Sequence, residues 1–93
     1  MRIEWDPVKA RLNIARHGIS FKEASSEFND PSAVTIEDPT RSHAELREIT
    51  VGVSSLVRLV VVYHVERGDR IRMIGARLPT RKERQDNEGA GRT

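Results

Sequence analysis

RGDRIRMIGARLPTRKER, residues 67–84, is the stretch on which the reading of the whole chain turns. Arg67-Gly68-Asp69 opens it as a tight turn, because Gly68 tolerates the positive φ that a two-residue hairpin demands. Residues 70–77 then read as a strand. Thr80-Arg81-Lys82-Glu83 has the spacing of a capping box, in which hydroxyl and carboxylate each satisfy an amide at a helix start. Seven basic residues (Arg67, Arg70, Arg72, Arg77, Arg81, Lys82, Arg84) stand here against three acids, Glu66, Asp69 and Glu83. Strict strand alternation puts Arg70 and Arg72 on one face with Ile74 and Ala76, and Arg77 on the other with Ile71 and Met73. Two readings fit this pattern: a phosphate site, or a solvated sheet face laced with ion pairs.

Working outward, residues 57–65 are apolar on both faces for most of their length, as a central strand requires, and Ser54-Ser55 marks the turn before them. Residues 46–53 alternate, with Arg47, Ile49, Val51 and Val53 on one side and Glu48, Thr50 and Gly52 on the other. A short strand is expected at 33–36, followed by a polar loop over 37–44. Upstream of Pro31 the period is helical. Asp6-Pro7 starts one helix, with Val8, Leu12 and Ala15 as its buried stripe and Lys9, Arg11 and Arg16 outside it; His17-Gly18 ends it. Ser20-Phe21-Lys22-Glu23 caps a second helix with Phe21, Ala24 and Phe28 inward. A third runs from Thr80 to about Glu88.

The expected fold is α+β in the order β-α-α-β-β-β-β-α. A small antiparallel sheet is packed by the two N-terminal helices, and a helix closes the C-terminus. Residues 1–88 form one domain and 89–93 a frayed tail. The 93 residues are 37% apolar and 32% charged, so the core is thin and the surface highly charged. Net charge is only +2, yet arginine far outnumbers lysine, which favours bidentate contacts to an anionic partner. Without cysteine there is neither a disulfide scaffold nor thiolate chemistry. No apolar run approaches the ~20 residues of a membrane span, and no signal-peptide core is present, so a soluble cytoplasmic protein without membrane contact is expected.

His17, His43 and His64 lack ligand spacing, and neither a nucleophile elbow nor a glycine-rich phosphate loop occurs; no metal or cofactor is expected. Metal-free phosphodiester chemistry remains. It needs cations to stabilise the phosphorane and a histidine or carboxylate to move protons. His64 and Glu48, on neighbouring strands, are the candidates for the second task. A structural histidine and an ordinary ion-pair partner are the alternatives. Residues alone lead to a nucleic-acid binder or a nuclease.

Glu4-Trp5-Asp6-Pro7, Lys9, Asn13, His17-Gly18, Phe21, Glu23-Ala24, Phe28 and Asp30-Pro31 resemble the opening of the BrnT family. Arg47, Thr50-Val51-Gly52, Val60-Val61-Val62, Glu66-Arg67, Arg70-Ile71-Arg72, Ile74, Ala76-Arg77 and Glu83-Arg84 continue the likeness through nearly the whole chain except its tail. The resemblance implies a RelE-like fold and a ribonuclease toxin of a type II toxin–antitoxin module. Such a toxin arrests translation by cleaving RNA, without metal, through attack of a 2′-hydroxyl. It also implies a cognate BrnA-type antitoxin in a heteromeric complex, with 2:2 among the stoichiometries, and operator DNA bound only through that antitoxin. On this reading Arg72, Arg77, His64 and Glu48 are the catalytic candidates, with Arg72 and Arg77 on the scissile phosphate; the strand is expected to end before Pro79, which lets the Arg77 side chain swing to the face of Arg72. Arg47, Arg70, Arg81, Lys82 and Arg84 bind RNA. Two departures stand out: Gly75 replaces a serine frequent in the family, and Asn87 stands where an aromatic residue is common. Loss of that aromatic removes stacking worth about 1–3 kcal/mol per base. A toxin of this fold acting on another target such as gyrase, and a non-catalytic nucleic-acid-binding module, are the other functions considered.

Overall fold

The structure is a computed structural model that describes residues 2–38 and 46–91, and side chains as far as residue 86. The expected loop with His43, the side chain of Asn87, and residues 92 and 93 lie outside the described residues. The chain runs β1 (Arg2–Glu4), α1 (Pro7–His17), α2 (Phe21–Ser25), a 3₁₀ turn (Ser26–Asn29), β2 (Val34–Glu37), β3 (Arg47–Val53), β4 (Leu59–Arg67), β5 (Arg70–Arg77) and α3 (Arg81–Gly91). One five-stranded sheet has the order β1-β5-β4-β3-β2. All its pairs are antiparallel except β1–β5, so the sheet is mixed. α3 continues through Gly91, past the expected end near Glu88. Among the described residues no helix is long and apolar enough to cross a membrane.

Local chemistry sets the ends of the elements. Asp6 accepts from the Val8 amide at 2.8 Å, and Gly18 closes α1 by donating to the Ile14 carbonyl. Ser20 accepts from the Glu23 amide at 3.0 Å, as its capping box requires. Gly68, at φ 64°, makes the β4–β5 hairpin. β4 begins at Leu59, later than expected, because residues 54–58 are consumed by the turn: Ser54 donates to the Arg58 carbonyl and Val57 to that of Ser54. Glu23 ties this turn to the helical layer. Its carboxylate accepts from Arg58 Nε at 2.7 Å and Nη2 at 2.6 Å, and from the Ser54 hydroxyl at 2.7 Å.

The core lies between the sheet and the helical layer. Ile19, Phe21 and Ala24 meet Val60, Val62, Met73 and Ala76, with Ile3, Trp5, Ala10 and Phe28 packed around them. The inward side of α1 differs from the expected stripe. Val8 and Leu12 are about half exposed, and Asn13 is the buried residue. The reason is a backbone demand. β1 pairs with β5 only as far as Arg72, and beyond it Asn13 serves that edge instead. Its amide donates to the carbonyls of Ala76 (2.8 Å) and Ile19 (3.0 Å) and accepts from the Ala76 N–H (3.1 Å). No apolar residue satisfies three buried backbone groups.

On β3 the buried side is the polar one, Thr50 and Gly52. Gly52 is required there: a Cβ would stand 2.8 Å from that of Ala33. Beneath it lies Glu27, fully buried with no well-formed hydrogen bond to its carboxyl oxygens. Burial pushes this group from the ordinary 4.5 up to about 9, against a partial offset from the Gly52 amide.

Two outcomes follow. The native state keeps the Glu27 proton at pH values where the unfolded chain has lost it. Stability is therefore full below about 4.5 and declines as pH rises toward 9, by at most about 1.4 kcal/mol per pH unit. Chemical denaturation of Glu27→Gln across that window should show the decline removed; an unchanged pH profile contradicts the assignment. Val57 is β-branched yet sits at φ 59°. Val57→Gly should raise stability by about 1 kcal/mol, and a lowered melting temperature contradicts strain there.

Candidate nucleic-acid site

The register between β4 and β5 slips once. His64 pairs with Met73 and Tyr63 with Gly75, which leaves Ile74 as the extra residue of a bulge. The alternation resets across it. Arg72 lies opposite Val65 and Arg77 opposite Val61, so both fall on one sheet face with Arg70, and Ala76 turns to the core. Arg77 thus shares the face of Arg72, as expected, but by another route: strict alternation would oppose them, and it is the inserted residue that brings them together, with β5 still paired at Arg77. The face they share is the one turned away from α2.

Tyr63 stands in the middle of that face. Arg47, opposite Val65 on the β3 side, and Arg77 each hold a guanidinium carbon over its ring, at 5.9 and 5.8 Å from the centroid. Arg77 also donates to the Tyr63 hydroxyl at 3.2 Å and, through both terminal nitrogens, to Glu83 at 2.8 and 3.0 Å. Arg77 and the Thr80 amide together hold the Glu83 carboxyl down at about 2, and the Arg77 guanidinium is pushed up in turn. Glu83 simultaneously completes the capping box with Thr80, so Arg77 is tied to the start of α3. Arg81, Lys82 and Arg84 are exposed on the first turns of that helix. Arg70 and Arg72 both reach Glu4 on β1, at 3.0 and 3.3 Å.

Because Asn13 pins α1 to the β5 edge, the flank of α1 overhangs this same face. Lys9, Arg16 and His17 form one wall of a cleft of about 360 Å³, and Arg47, Tyr63 and Gly75 form the other. The cations of helix and sheet thus converge on one tyrosine. Lys9, Arg16, His17 and Tyr63 were not among the expected site residues. Lys9 and Arg16 recur at helical spacing with Leu12 between them, which is the signal for a shared flank. Tyr63 has the parity of Val61 and Val65, which its strand neighbours make the arginine face.

His64 and Glu48 are elsewhere. They lie on the helix-covered face, separated from Arg72 and Arg77 by the sheet itself. His64 is 2% exposed, bonds Thr50 Oγ1 through Nε2 at 2.7 Å and meets Phe28 edge-on at 5.2 Å. Its Nδ1 has no hydrogen-bond partner among the described residues and stands 3.9 Å from the Glu48 carboxylate. Burial lowers the proton affinity of His64. Burial and the charges of Glu66 and Glu37 raise Glu48. Among the described residues, no three His, Asp or Glu side chains converge on a point that could hold a metal ion.

Gly75 floors the cleft without needing to be glycine: a Cβ there would find only Asn13 Oδ1, at 3.9 Å. Gly75→Ser should therefore fold with stability within about 0.5 kcal/mol of the parent. A loss of several degrees in a thermal melt contradicts the open floor.

No curated protein sequence matches the chain. Among solved structures, the crystal structure of the Brucella abortus ribonuclease toxin BrnT superposes with a TM-score of 0.66 at 24% identity, covering 87% of this chain and 99% of that one. That likeness shows a common fold. The family model described as "Ribonuclease toxin, BrnT, of type II toxin-antitoxin system" matches residues 5–83, which takes in both walls of the cleft. The chain therefore belongs to the BrnT family of ribonuclease toxins of type II toxin–antitoxin systems.

Proposed function

We propose that the cleft between α1 and the arginine face is where this toxin cleaves RNA, without a metal ion. The observation that carries the reading is a cleft with Lys9, Arg16 and His17 on one wall and Arg47 and Tyr63 on the other, beside which Arg77 lies over the same tyrosine ring. A phosphodiester in the cleft meets donors from both walls. The 2′-oxygen attacks phosphorus, its proton passes to a base, and the 5′-oxygen leaves with a proton, giving a 2′,3′-cyclic phosphate and a 5′-hydroxyl. Arg77 and Arg47 stabilise the charge on the phosphorane. His17, on the wall of the cleft, is the proton-transfer group. Arg72 and Arg70 extend the cationic face, and Arg81, Lys82 and Arg84 hold flanking phosphates. His64 and Glu48 serve the scaffold.

Arg77 meets its phosphate by exchanging Glu83 for it. Both partners accept a bidentate, charge-assisted contact from the guanidinium, so the exchange replaces one such contact by another of the same kind. In the wider setting this is a RelE-like toxin that works in the cytoplasm, stops translation by destroying RNA and is neutralised by a BrnA-type antitoxin. A dimeric antitoxin holding one toxin on each subunit gives a 2:2 complex, and operator DNA is bound through the antitoxin alone.

Cleavage of a labelled RNA in EDTA tests the assignment on variants whose folding is confirmed by thermal melt. Arg77→Ala and His17→Ala should each lose about 10²-fold or more, while folded His64→Gln keeps the parent rate. Parent-level cleavage by a folded Arg77→Ala protein overturns it. Arg81→Ala should instead weaken RNA binding and lower the slope of log affinity against log salt by about 1.

A further inference from the structure

The far edge of the sheet is built differently from the cleft. Among the described residues β2 is the outermost strand. The Asp38 amide donates to the Arg47 carbonyl, and antiparallel alternation then makes Ile36 and Val34 the residues bonded to β3. Thr35 and Glu37 are left with N–H and C=O directed outward. Of the devices that blunt exposed edges, Val34-Thr35-Ile36-Glu37 has shortness and the charge of Glu37, but no lysine, proline or bulge.

Each face of the edge has its own chemistry. Val34 and Ile36, both 55% exposed, lie beside Val51 and Ile49 and carry the apolar row of β3 out to the rim. On the other face Glu37 lies opposite Glu48, and Glu48 opposite His64. Glu37 and Glu66 both disfavour ionisation of Glu48, so this end of the sheet is a row of mutually repelling carboxylates. The nitrogen turned toward it is His64 Nδ1, buried and without a hydrogen-bond partner among the described residues. An incoming strand that completes this edge needs apolar side chains on one face and a cation on the other.

We propose that β2 is the docking edge for an extended segment of a partner protein, which adds a sixth strand with apolar side chains over Val34 and Ile36 and a lysine or arginine against Glu37. A second copy of β2 does not fit this description, because the strand itself has no basic residue to offer. The inference rests on the sheet edge alone and stands apart from the ribonuclease reading.

The test uses the whole chain and a fluorescein-labelled peptide of alternating lysine and valine, with a glutamate–valine peptide as control. Anisotropy should show binding of the lysine peptide only. Amide hydrogen exchange should show Thr35 and Glu37 protected in its presence. Ile36→Lys and Glu37→Lys, both at exposed positions, should each weaken binding about tenfold or more. Equal binding by both variants, binding of both peptides, absence of binding, or unprotected Thr35 and Glu37 amides overturns the proposal. Protection that grows with protein concentration in the absence of peptide assigns the edge to a second copy, and overturns it too. No cleavage is measured, so failure here leaves the ribonuclease reading untouched.

Discussion

Asn13 is the hinge of the whole arrangement. β1 is only three residues long and leaves the outer edge of β5 uncovered beyond Arg72. An edge left bare at that point would bury unsatisfied amides and carbonyls, at about 1–3 kcal/mol each. The Asn13 amide answers two of them, the N–H and C=O of Ala76, together with the Ile19 carbonyl, and so fixes where α1 lies. The core is half the consequence: Ala10 packs on Phe21 and its neighbours. The cleft is the other half, because the flank that bears Lys9, Arg16 and His17 is carried out over the opposite face of the sheet. A helix held by apolar contacts alone would have no reason to stop at this register.

The bulge at Ile74 acts on the same face from the other side. Without the extra residue, Arg77 would fall opposite Val60 and turn its charge toward the core. With it, Arg77 joins Arg72 on the outer face and meets Arg47 over the Tyr63 ring. The charge is then kept at the surface and made directional by Glu83 and the Tyr63 hydroxyl. Two irregularities, a strand that ends early and one residue too many in its neighbour, thus build the cationic cleft. Burial of His64 and Glu27 on the covered face works in the opposite sense, by holding titratable groups away from solvent and from RNA.

Much of the fold was legible because its punctuation is local. Asp6-Pro7, Ser20 with Glu23, Gly68, and Thr80 with Glu83 announce helix starts and a turn from a few neighbouring residues, and the structure uses each of them so. The strand β5 was bounded correctly for the same reason. Facing was harder. Counting by twos cannot reveal a bulge, since the inserted residue is defined by pairing with a distant strand, and so Arg77 was expected to reach the face of Arg72 through a strand end at Pro79 and not through a bulge. The inward face of α1 was missed because hydrophobic periodicity gives no weight to a polar residue that satisfies a strand edge. His64 and Glu48 were grouped with the arginines on strand adjacency, although adjacent strands present two faces. Tyr63 and His17 entered only when the sheet and α1 were seen together.

Occupation by RNA of the arginine face beneath the flank of α1 is tested most directly by backbone amide chemical-shift mapping with a 2′-O-methylated RNA oligonucleotide. Methylation blocks the attacking oxygen, so the complex persists through the measurement. The prediction is that shifts concentrate at Lys9, His17, Arg47, Tyr63 and Gly75, with Thr50, His64 and Phe28 left unmoved. Shifts centred on Thr50, His64 and Phe28, with the cleft residues silent, would contradict it.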